Sequence, residues 1–394
     1  MKLLLIKFGK AVSAIRRDGL LVGGRRIFDY TGNFFRAMFG VGSGDVLIIS
    51  SGVGDSAHYR AYSHAEELNI HGIAASTTIQ DNPRLLAYAD QFKIFIFQRT
   101  ISTPALSKLI GKIKDQGKVI IFETDDLVFD PKYIQTTEMY QQEMTDFEKK
   151  QYEKGVGEEI LNDPYVKVCT TSTGYLAKIL EGYGKQVFVV KNKLMEWEVE
   201  EANRLLKELP VPTDDAIKIG YFSGTASHNR DFATITDALV EVMKNYPLTK
   251  LLLAGSLETE SKLNELKDRI IRLSLVTRKK YYQNVSLADI AIAPLTPGDP
   301  FCEAKSELKF FEAGILKVPT VAVDNQTFRE AIADGVDGFL AKDTAEWVEK
   351  LEKLITDADL RKSMGEKART KTLAEYTTRD SHNEEYYNYL RSRL

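Results

Sequence analysis

Cysteine is scarce in this chain. Cys169 and Cys302 are the only two in 394 residues, they lie far apart, and neither stands in a CxxC or CxxH spacing. That excludes a disulfide framework or a cysteine-built zinc site and fits a reducing cytoplasm. Long apolar runs are missing too. The opening MKLLLIKFGK holds four consecutive apolar residues, too few for the core of a secretory leader, and no stretch approaches the ~18 apolar residues of a spanning helix. The expectation is a cytoplasmic chain that does not cross a membrane. Nor is one charge in excess: 53 Lys and Arg stand against 56 Asp and Glu, a net charge of −3, so no global electrostatic case for a nucleic-acid partner exists. Histidines number five, and no GxSxG elbow or other activated serine context occurs. Nucleophilic catalysis is left without a candidate.

What is present is an ordinary globular composition, 43% hydrophobic and 28% charged, in a chain long enough for two domains. From Val46 short apolar runs alternate with helical patterns. Candidate strands are VLIIS (46–50), IAAST (73–77), KIFIF (93–97), VIIF (119–122), VKVCT (166–170) and VFVV (187–190), with amphipathic helices over 56–69, 103–115, 135–154 and 172–182. This succession predicts a mostly parallel, doubly wound sheet. After a polar stretch from Lys193 to Asp215 the pattern restarts, with strands IKIGYF (217–222), KLLLAG (250–255), IAIAP (290–294), VPTVAV (318–323) and GFLA (338–341) and helices around 229–245, 305–316, 343–356 and 358–374. The reading is two α/β domains in tandem, 44–192 and 216–374, joined by a linker over 193–215. Ligands are expected at the carboxyl edges of the sheets, in a cleft where the two domains face each other.

Residues 1–43 form a basic extension. Lys2, Lys7, Lys10, Arg16, Arg17, Arg25, Arg26 and Arg36 stand against Asp18 and Asp29 alone, interleaved with Leu20, Leu21, Ile27, Phe28, Phe34, Phe35 and Phe39. Such a segment suits an anionic membrane surface, or it packs as a helical extension on its own domain or on a partner.

PFCEAKSELKFFEAGILKVP (300–319) is the most informative stretch. If its helix opens near Ser306, Lys305, Lys309 and Glu312 recur at the i, i+4, i+7 spacing of one stripe, and Leu308, Phe311 and Ile315 make an apolar stripe facing the core. A helix N-terminus flanked by two lysines suits a phosphate or diphosphate, and Glu312 suits hydroxyls on whatever that diphosphate carries. The alternative is a solvated face with an i, i+3 ion pair, worth a few tenths of a kcal/mol. In FSGTASHNRDF (222–232), Gly224 permits close backbone approach, Thr225 offers a hydroxyl, and His228 and Arg230 stand by a helix N-terminus, Arg230 as a phosphate ligand. A capped turn with a surface arginine is the other reading. In the first domain GVGDSAHYR (52–60) brings Gly54, Asp55, Tyr59 and Arg60 to a strand end, and Arg99 and the pair Asp125 and Asp126 follow two further strands. The aspartates hold a metal, act as base, or bind sugar hydroxyls; otherwise one caps a helix and the other is solvated. No histidine or third carboxylate completes a metal set, so none is assigned.

In their order and spacing, GDSxxYR, the QR strand end, IFxxDDLVF, FSGTxxHNRDF and AKSELKxxEA resemble the GT-B glycosyltransferases, the large retaining group with nucleotide-sugar donors, in its bacterial cell-surface polysaccharide branch. The likeness runs from Gly52 to about Glu375. It implies two Rossmann-like domains facing across a cleft, with residues 375–394 as a helix crossing back to the first. The second domain takes the donor through Gly224, Thr225, His228, Arg230, Glu303, Lys305, Ser306, Lys309 and Glu312, with Glu312 on the ribose or sugar. Arg230, Lys309 and Glu312 are the implied catalytic residues, and Gly54, Asp55, Tyr59, Arg60, Arg99, Asp125 and Asp126 orient the acceptor. There are three departures: Ala304 stands where the first glutamate of an E-x7-E pattern falls, with Glu303 one residue off; Thr225 replaces a frequent arginine; Lys317 occupies a common glycine position.

The expectation is therefore transfer of a sugar from a nucleoside diphosphate to a cell-surface polysaccharide, glycolipid or glycoprotein glycan. It is expected to retain configuration, to use no cofactor or metal, and to exclude water by domain closure. A non-catalytic GT-B partner or nucleotide-sugar sensor is the alternative that Ala304 and Thr225 motivate. An epimerase lacks the necessary acids and histidines. Expected partners are the nucleotide sugar and a glycan acceptor, with peripheral association at the inner face of the membrane through residues 1–43; self-association is left open.

Overall fold

The computed structural model describes residues 31–135, 137, 140–141, 144–208, 215–223, 229–255, 257 and 259–394. The chain divides into two compact units. One comprises the chain up to Ser172, Leu176–Val190 and His382–Leu394; the other comprises Thr173–Tyr175 and Lys191–Ser381.

The first unit is built on six strands, β1 (Val46–Ser50), β2 (Ala75–Ile79), β3 (Ile94–Gln98), β4 (Val119–Thr124), β5 (Val168–Thr171) and β6 (Gln186–Val189), in the order β2-β1-β3-β4-β5-β6 with every pair parallel. Helices on both faces explain why β1 and β3 are apolar almost throughout and buried along their whole length. On one face Val46, Ile48, Ile94, Ile96, Ile121 and Val168 pack with Ala61, Ala65 and Leu68 and with Tyr386, Tyr387 and Leu390 of the final helix, Glu384–Arg391. The chain thus returns to this unit from His382, later than the expected residue 375.

Helix α1 runs without a break through Asp55–Ala57, a π-helical stretch His58–Ser63, and His64–Ile70. Helix α2 (Pro104–Asp115) has Pro at its first position, and Thr103 accepts from the Leu106 N–H at 3.1 Å, a well-formed N-terminus. Helix α3 is Gly174–Glu181. The helix expected over 135–154 is not continuous: Pro131–Ile134, capped by Asp130, and Asp146–Tyr152 are separate. Residues 31–39 are helical, whereas the rest of the basic extension, residues 1–30, lies outside the described residues.

The second unit opens with α4 (Glu196–Glu208), where a linker was expected. Its burial of Glu198, Glu201, Ala202 and Leu205 marks it as part of the unit. The sheet has β7 (Lys218–Phe222), β8 (Lys250–Ala254), β9 (Ile270–Leu273), β10 (Ile290–Ala293), β11 (Thr320–Val323) and β12 (Phe339–Ala341), all parallel, in the order β12-β11-β10-β7-β8-β9. β9 has no counterpart in the sequence reading because it is an edge strand whose Ile271 and Arg272 are exposed; a four-residue run with an arginine gives no apolar signal. Around the sheet lie α5 (Asn229–Ala233), α6 (Thr236–Asn245), α7 (Arg278–Val285), α8 (Pro300–Glu303), α9 (Leu308–Gly314), α10 (Thr344–Thr356) and α11 (Ala358–Glu375).

Lys317, just after α9, has φ of +62°, the left-handed region that glycine occupies without strain. Its carbonyl oxygen lies 2.0 Å from where a Cβ on Gly365 of α11 would sit, so that helix position admits no side chain.

Candidate functional site

Each sheet has a switch point where neighbouring strands send their connections to opposite sides, and the crevice outside the carboxyl ends of such strands is where ligands bind in this architecture. In the first unit it lies between β1 and β3, in the second between β7 and β10.

In the first unit, Ser50, Gln98, Glu123 and Thr170 stand in register across β1, β3, β4 and β5. This polar row at the carboxyl edge is fully buried. Ser50 Oγ donates to Gln98 Oε1 at 2.9 Å, Gln98 Nε2 to Ser56 Oγ at 2.8 Å, and Ser56 Oγ to Asp125 Oδ2 at 2.7 Å. Arg99 Nη1 donates to Asp125 Oδ1 at 3.2 Å. Arg99 is held at φ of +48°, an uncommon conformation for a residue with a side chain and one that clusters at functional sites. Burial acts to lower the Arg99 pKa, but the charges of Asp125 and Asp126 outweigh it and hold the guanidinium above its usual range. Asp126 caps the short turn Leu127–Phe129, accepting from the Leu127 N–H at 2.8 Å. The two aspartates therefore divide the work: one caps, and the other faces the arginine and a serine.

Gly54 and Asp55 are exposed at the start of α1, and Tyr59 is buried. Arg60 corrects the sequence reading. Its side chain is fully buried, with Nε 2.7 Å from Glu123 Oε1, Nη2 2.9 Å from Oε2, and Nη1 donating to the Val190 carbonyl at 2.5 Å. Thr170 Oγ1 donates to the same carboxylate. Burial pulls the Arg60 pKa down, and Glu123 more than offsets this, so the guanidinium stays charged. Arg60 ties α1 to β4 and is not an acceptor ligand.

In the second unit the centre is Asp231 on α5, which the sequence reading passed over. It is 2% exposed. Its Oδ1 accepts from the Thr296 N–H at 3.0 Å, Thr296 Oγ1 at 3.1 Å and Cys302 Sγ at 3.2 Å, and its Oδ2 from Lys305 Nζ at 3.1 Å. Thr296 follows β10, so Asp231 closes the switch point and fixes Lys305. Burial pushes the Cys302 thiol up to about 12, which leaves it unreactive. Lys309 has no ion-pair partner among the described residues; its Nζ lies 5.5 Å from the centre of the Tyr221 ring. Burial, then the nearby Lys305, lowers its pKa.

Helix α9 opens at Leu308 with Glu307 as its N-cap, two residues past Ser306, so Lys305 precedes the helix. Ser306 Oγ instead accepts from Asn192 Nδ2 at 2.8 Å, and the core stripe shifts: Phe310, Phe311 and Ile315 are buried while Leu308 is only half-buried. Glu303 lies at the end of α8, its Oε1 3.4 Å from the Gly298 N–H. Ala304 is fully buried, in a spot with no room for a glutamate facing solvent. Glu312 is 7% exposed and already engaged, accepting from Arg278 Nη2 at 2.8 Å and Tyr281 Oη at 2.7 Å. Arg230 is an exposed residue of α5, while Gly224, Thr225 and His228 lie outside the described residues.

The structure thus gathers Lys305, Lys309 and Glu312 as expected and adds Asp231, Arg278 and Tyr281. In the first unit it joins Arg99 to Asp125 and adds Ser50, Ser56 and Gln98. The neighbouring QR and RD pairs were the only sequence signal for Gln98 and Asp231. Arg278, inside an RKK run, reads as a solvated charge.

Residues 207–371 match the family described as glycosyl transferases group 1. No curated protein matches the chain in sequence. Solved structures are similar in fold: HepE of Anabaena in complex with UDP has a TM-score of 0.60 at 13% identity, over 88% of this chain and 100% of that one. Sucrose-phosphate synthase of Thermosynechococcus elongatus reaches 0.57 at 14% identity over 89% and 100%. A glycosyltransferase of Rickettsia africae reaches 0.57 at 13% identity over 89% and 98%.

Proposed function

We propose that this chain, a glycosyltransferase with a group 1 domain in a GT-B fold, transfers a sugar from a nucleoside diphosphate sugar to a hydroxyl of a cell-surface polysaccharide, glycolipid or glycoprotein glycan. The observation that carries the donor half is Lys309. A partly buried ammonium with no carboxylate partner among the described residues, beside a lysine anchored by Asp231 at a switch point, lacks an anion. A diphosphate supplies one.

As the bond between the anomeric carbon and the diphosphate oxygen breaks, charge builds on the leaving group, and Lys309 and Lys305 meet it, with Arg230 as a further cation. Configuration is retained: a departing phosphate oxygen takes the acceptor hydroxyl's proton on the face it leaves, as the acceptor oxygen bonds to the anomeric carbon. The lysines supply the charge that a metal supplies elsewhere. Asp125 and Arg99 orient the acceptor hydroxyl, with Asp126, Asp55 and the Gly54 backbone beside them.

Among the described residues no helix is long and apolar enough to cross a membrane. Phe35 and Phe39, in the helical residues 31–39, are 53% and 61% exposed, with stacked rings 6.2 Å apart. Behind the basic segment they suit a peripheral position on anionic lipid, which co-sedimentation of the Phe35→Ser and Phe39→Ser variants with anionic vesicles checks.

The test of the donor half is a calorimetric titration and thermal shift with UDP, GDP and ADP and their sugars. UDP comes first because HepE is seen with it. One diphosphate is expected to bind; at 100 times its dissociation constant it stabilises by about 2.7 kcal/mol. No binding by any of them at millimolar concentration overturns the reading.

A further inference from the structure

Gln80 belongs to neither site described so far, yet its side chain joins the two loops that flank the switch point of the first unit. It follows β2, the edge strand next to β1 in the order β2-β1-β3, and is 5% exposed. The backbone ladder ends at this level, with the Gln80 N–H donating to the Ser50 carbonyl at 2.9 Å and the Ser51 N–H to the Gln98 carbonyl at 3.0 Å. Beyond it the Gln80 amide takes over. Its Nε2 donates to the Ser51 carbonyl at 3.3 Å, and its Oε1 accepts from the Ile101 N–H at 2.7 Å. A side-chain amide offers a donor and an acceptor as a peptide group does. From the end of β2 it therefore reaches past β1 and adds one rung to the loop that follows β3.

That loop carries Arg99. Its N–H donates to the Glu123 carbonyl of β4 at 3.1 Å, so residues 99–101 are pinned at one end to β4 and at the other to Gln80, with Thr100 fully buried between the two anchors. Arg99 itself stands at φ of +48°. A residue with a side chain keeps such a conformation only where its surroundings over-determine it, and these two anchors are what over-determine it here. In this conformation Arg99 Nη1 meets Asp125 Oδ1 at 3.2 Å.

We infer that Gln80 is a positioning residue for the acceptor: it holds Arg99 in the left-handed conformation that sets the pair of Arg99 and Asp125 at the crevice. This rests on the acceptor half of the reading above. Released at Ile101, the backbone relaxes to negative φ and turns the Arg99 side chain away from Asp125. Glutamine suits the role where glutamate does not, since a carboxylate accepts from the Ile101 N–H but has nothing to donate to the Ser51 carbonyl.

The test uses the full chain and measures transfer to the methyl glycosides of glucose, galactose, mannose and N-acetylglucosamine from the nucleotide sugar that wild type turns over. Wild type is compared with Gln80→Met, Arg99→Gly and the double variant, alongside melting temperatures. Gln80→Met keeps the length of the side chain and loses both hydrogen bonds. It is expected to raise the acceptor KM about tenfold, with the donor KM and the kcat at saturating acceptor within about twofold of wild type. Arg99→Gly relaxes the backbone and removes the guanidinium, so adding Gln80→Met to it is expected to change the acceptor KM no further. A merely structural role lowers the melting temperature of Gln80→Met and leaves its acceptor KM at the wild-type value, and that result overturns the inference alone. So does an acceptor KM raised by the same factor with and without Arg99. If wild type transfers sugar to none of the glycosides at high millimolar concentration, the acceptor reading falls and this inference with it.

Discussion

The carboxyl edges of the two sheets are built on the same plan and differ in how their charges are paired. At the first, each cation has its anion: Arg60 is closed by Glu123, and Arg99 by Asp125. At the second, Asp231 answers Lys305, and two glutamates share Arg278, while Lys309 is left over. The side chains named at the second edge balance, three cations against three anions, so the contrast lies in pairing and not in net charge: Lys309 alone has no ion-pair partner among the described residues. Topology gives each unit a crevice of the kind in which ligands bind, and the donor and acceptor roles are those proposed above.

The largest expected effect comes from breaking the closed edge. Arg60→Met leaves Glu123 buried without its countercharge and is expected to cost about 3–5 kcal/mol, read as a lower denaturation midpoint. The double replacement Arg60→Met with Glu123→Met is expected to recover most of that loss. An exposed arginine in an acceptor site would instead change kinetics with little loss of stability.

At the open edge the sign reverses. Lys309→Met is expected to abolish donor binding and, in the free protein, to raise stability by about 1 kcal/mol, as removing a strained functional group does. The pH dependence follows from the lowered pKa. With the folded pKa of Lys309 below its unfolded value of 10.5, the protonated side chain costs stability at neutral pH, and the cost fades as the pH rises through the folded pKa towards 10.5. The stability gap between wild type and Lys309→Met should narrow over that alkaline range; a constant gap argues against a strained ammonium.

Ser56→Ala cuts the link from Gln98 to Asp125 and sharpens the contrast between the edges. An acceptor KM higher by about tenfold with donor affinity unchanged is expected, one charge-assisted hydrogen bond's worth. The smallest effect lies away from both sites. Lys317→Gly relieves a left-handed backbone and is expected to stabilise by about 1 kcal/mol, less the Lys317 to Glu366 contact at 2.8 Å, which at the surface is worth little.

Much of this was legible in the sequence. Among the described residues eleven of the twelve strands lie on the predicted runs, the inner ones because strands covered on both faces must be apolar along their length; β9 is an edge strand like β2, β6 and β12, and its four residues include an arginine and none that is buried. Lys309 and Glu312 could be grouped because helical spacing is local information; Lys305 precedes the helix and is held by Asp231 instead. Arg60 could not be placed. Its partner Glu123 is 63 residues away, and a charged residue early in a helix looks the same in sequence whether it meets solvent or a buried carboxylate. Glu198 was hidden for the same reason, inside a stretch whose polarity resembled a linker. Local pattern shows where chains turn and which faces are apolar; pairing across the fold is visible only in three dimensions.

The order in which the chain is written also matters. The second unit begins and ends with neighbours: the Leu194 N–H donates to the Tyr376 carbonyl at 2.8 Å, and the Thr378 N–H to the Leu194 carbonyl at 3.0 Å. Everything between can close on itself as soon as Thr378 leaves the ribosome. The first unit, although it comes first, still lacks Tyr386, Tyr387 and Leu390 from its core at that moment. Its sheet must wait through the synthesis of nearly two hundred residues for its last helix, so the unit begun first is finished last.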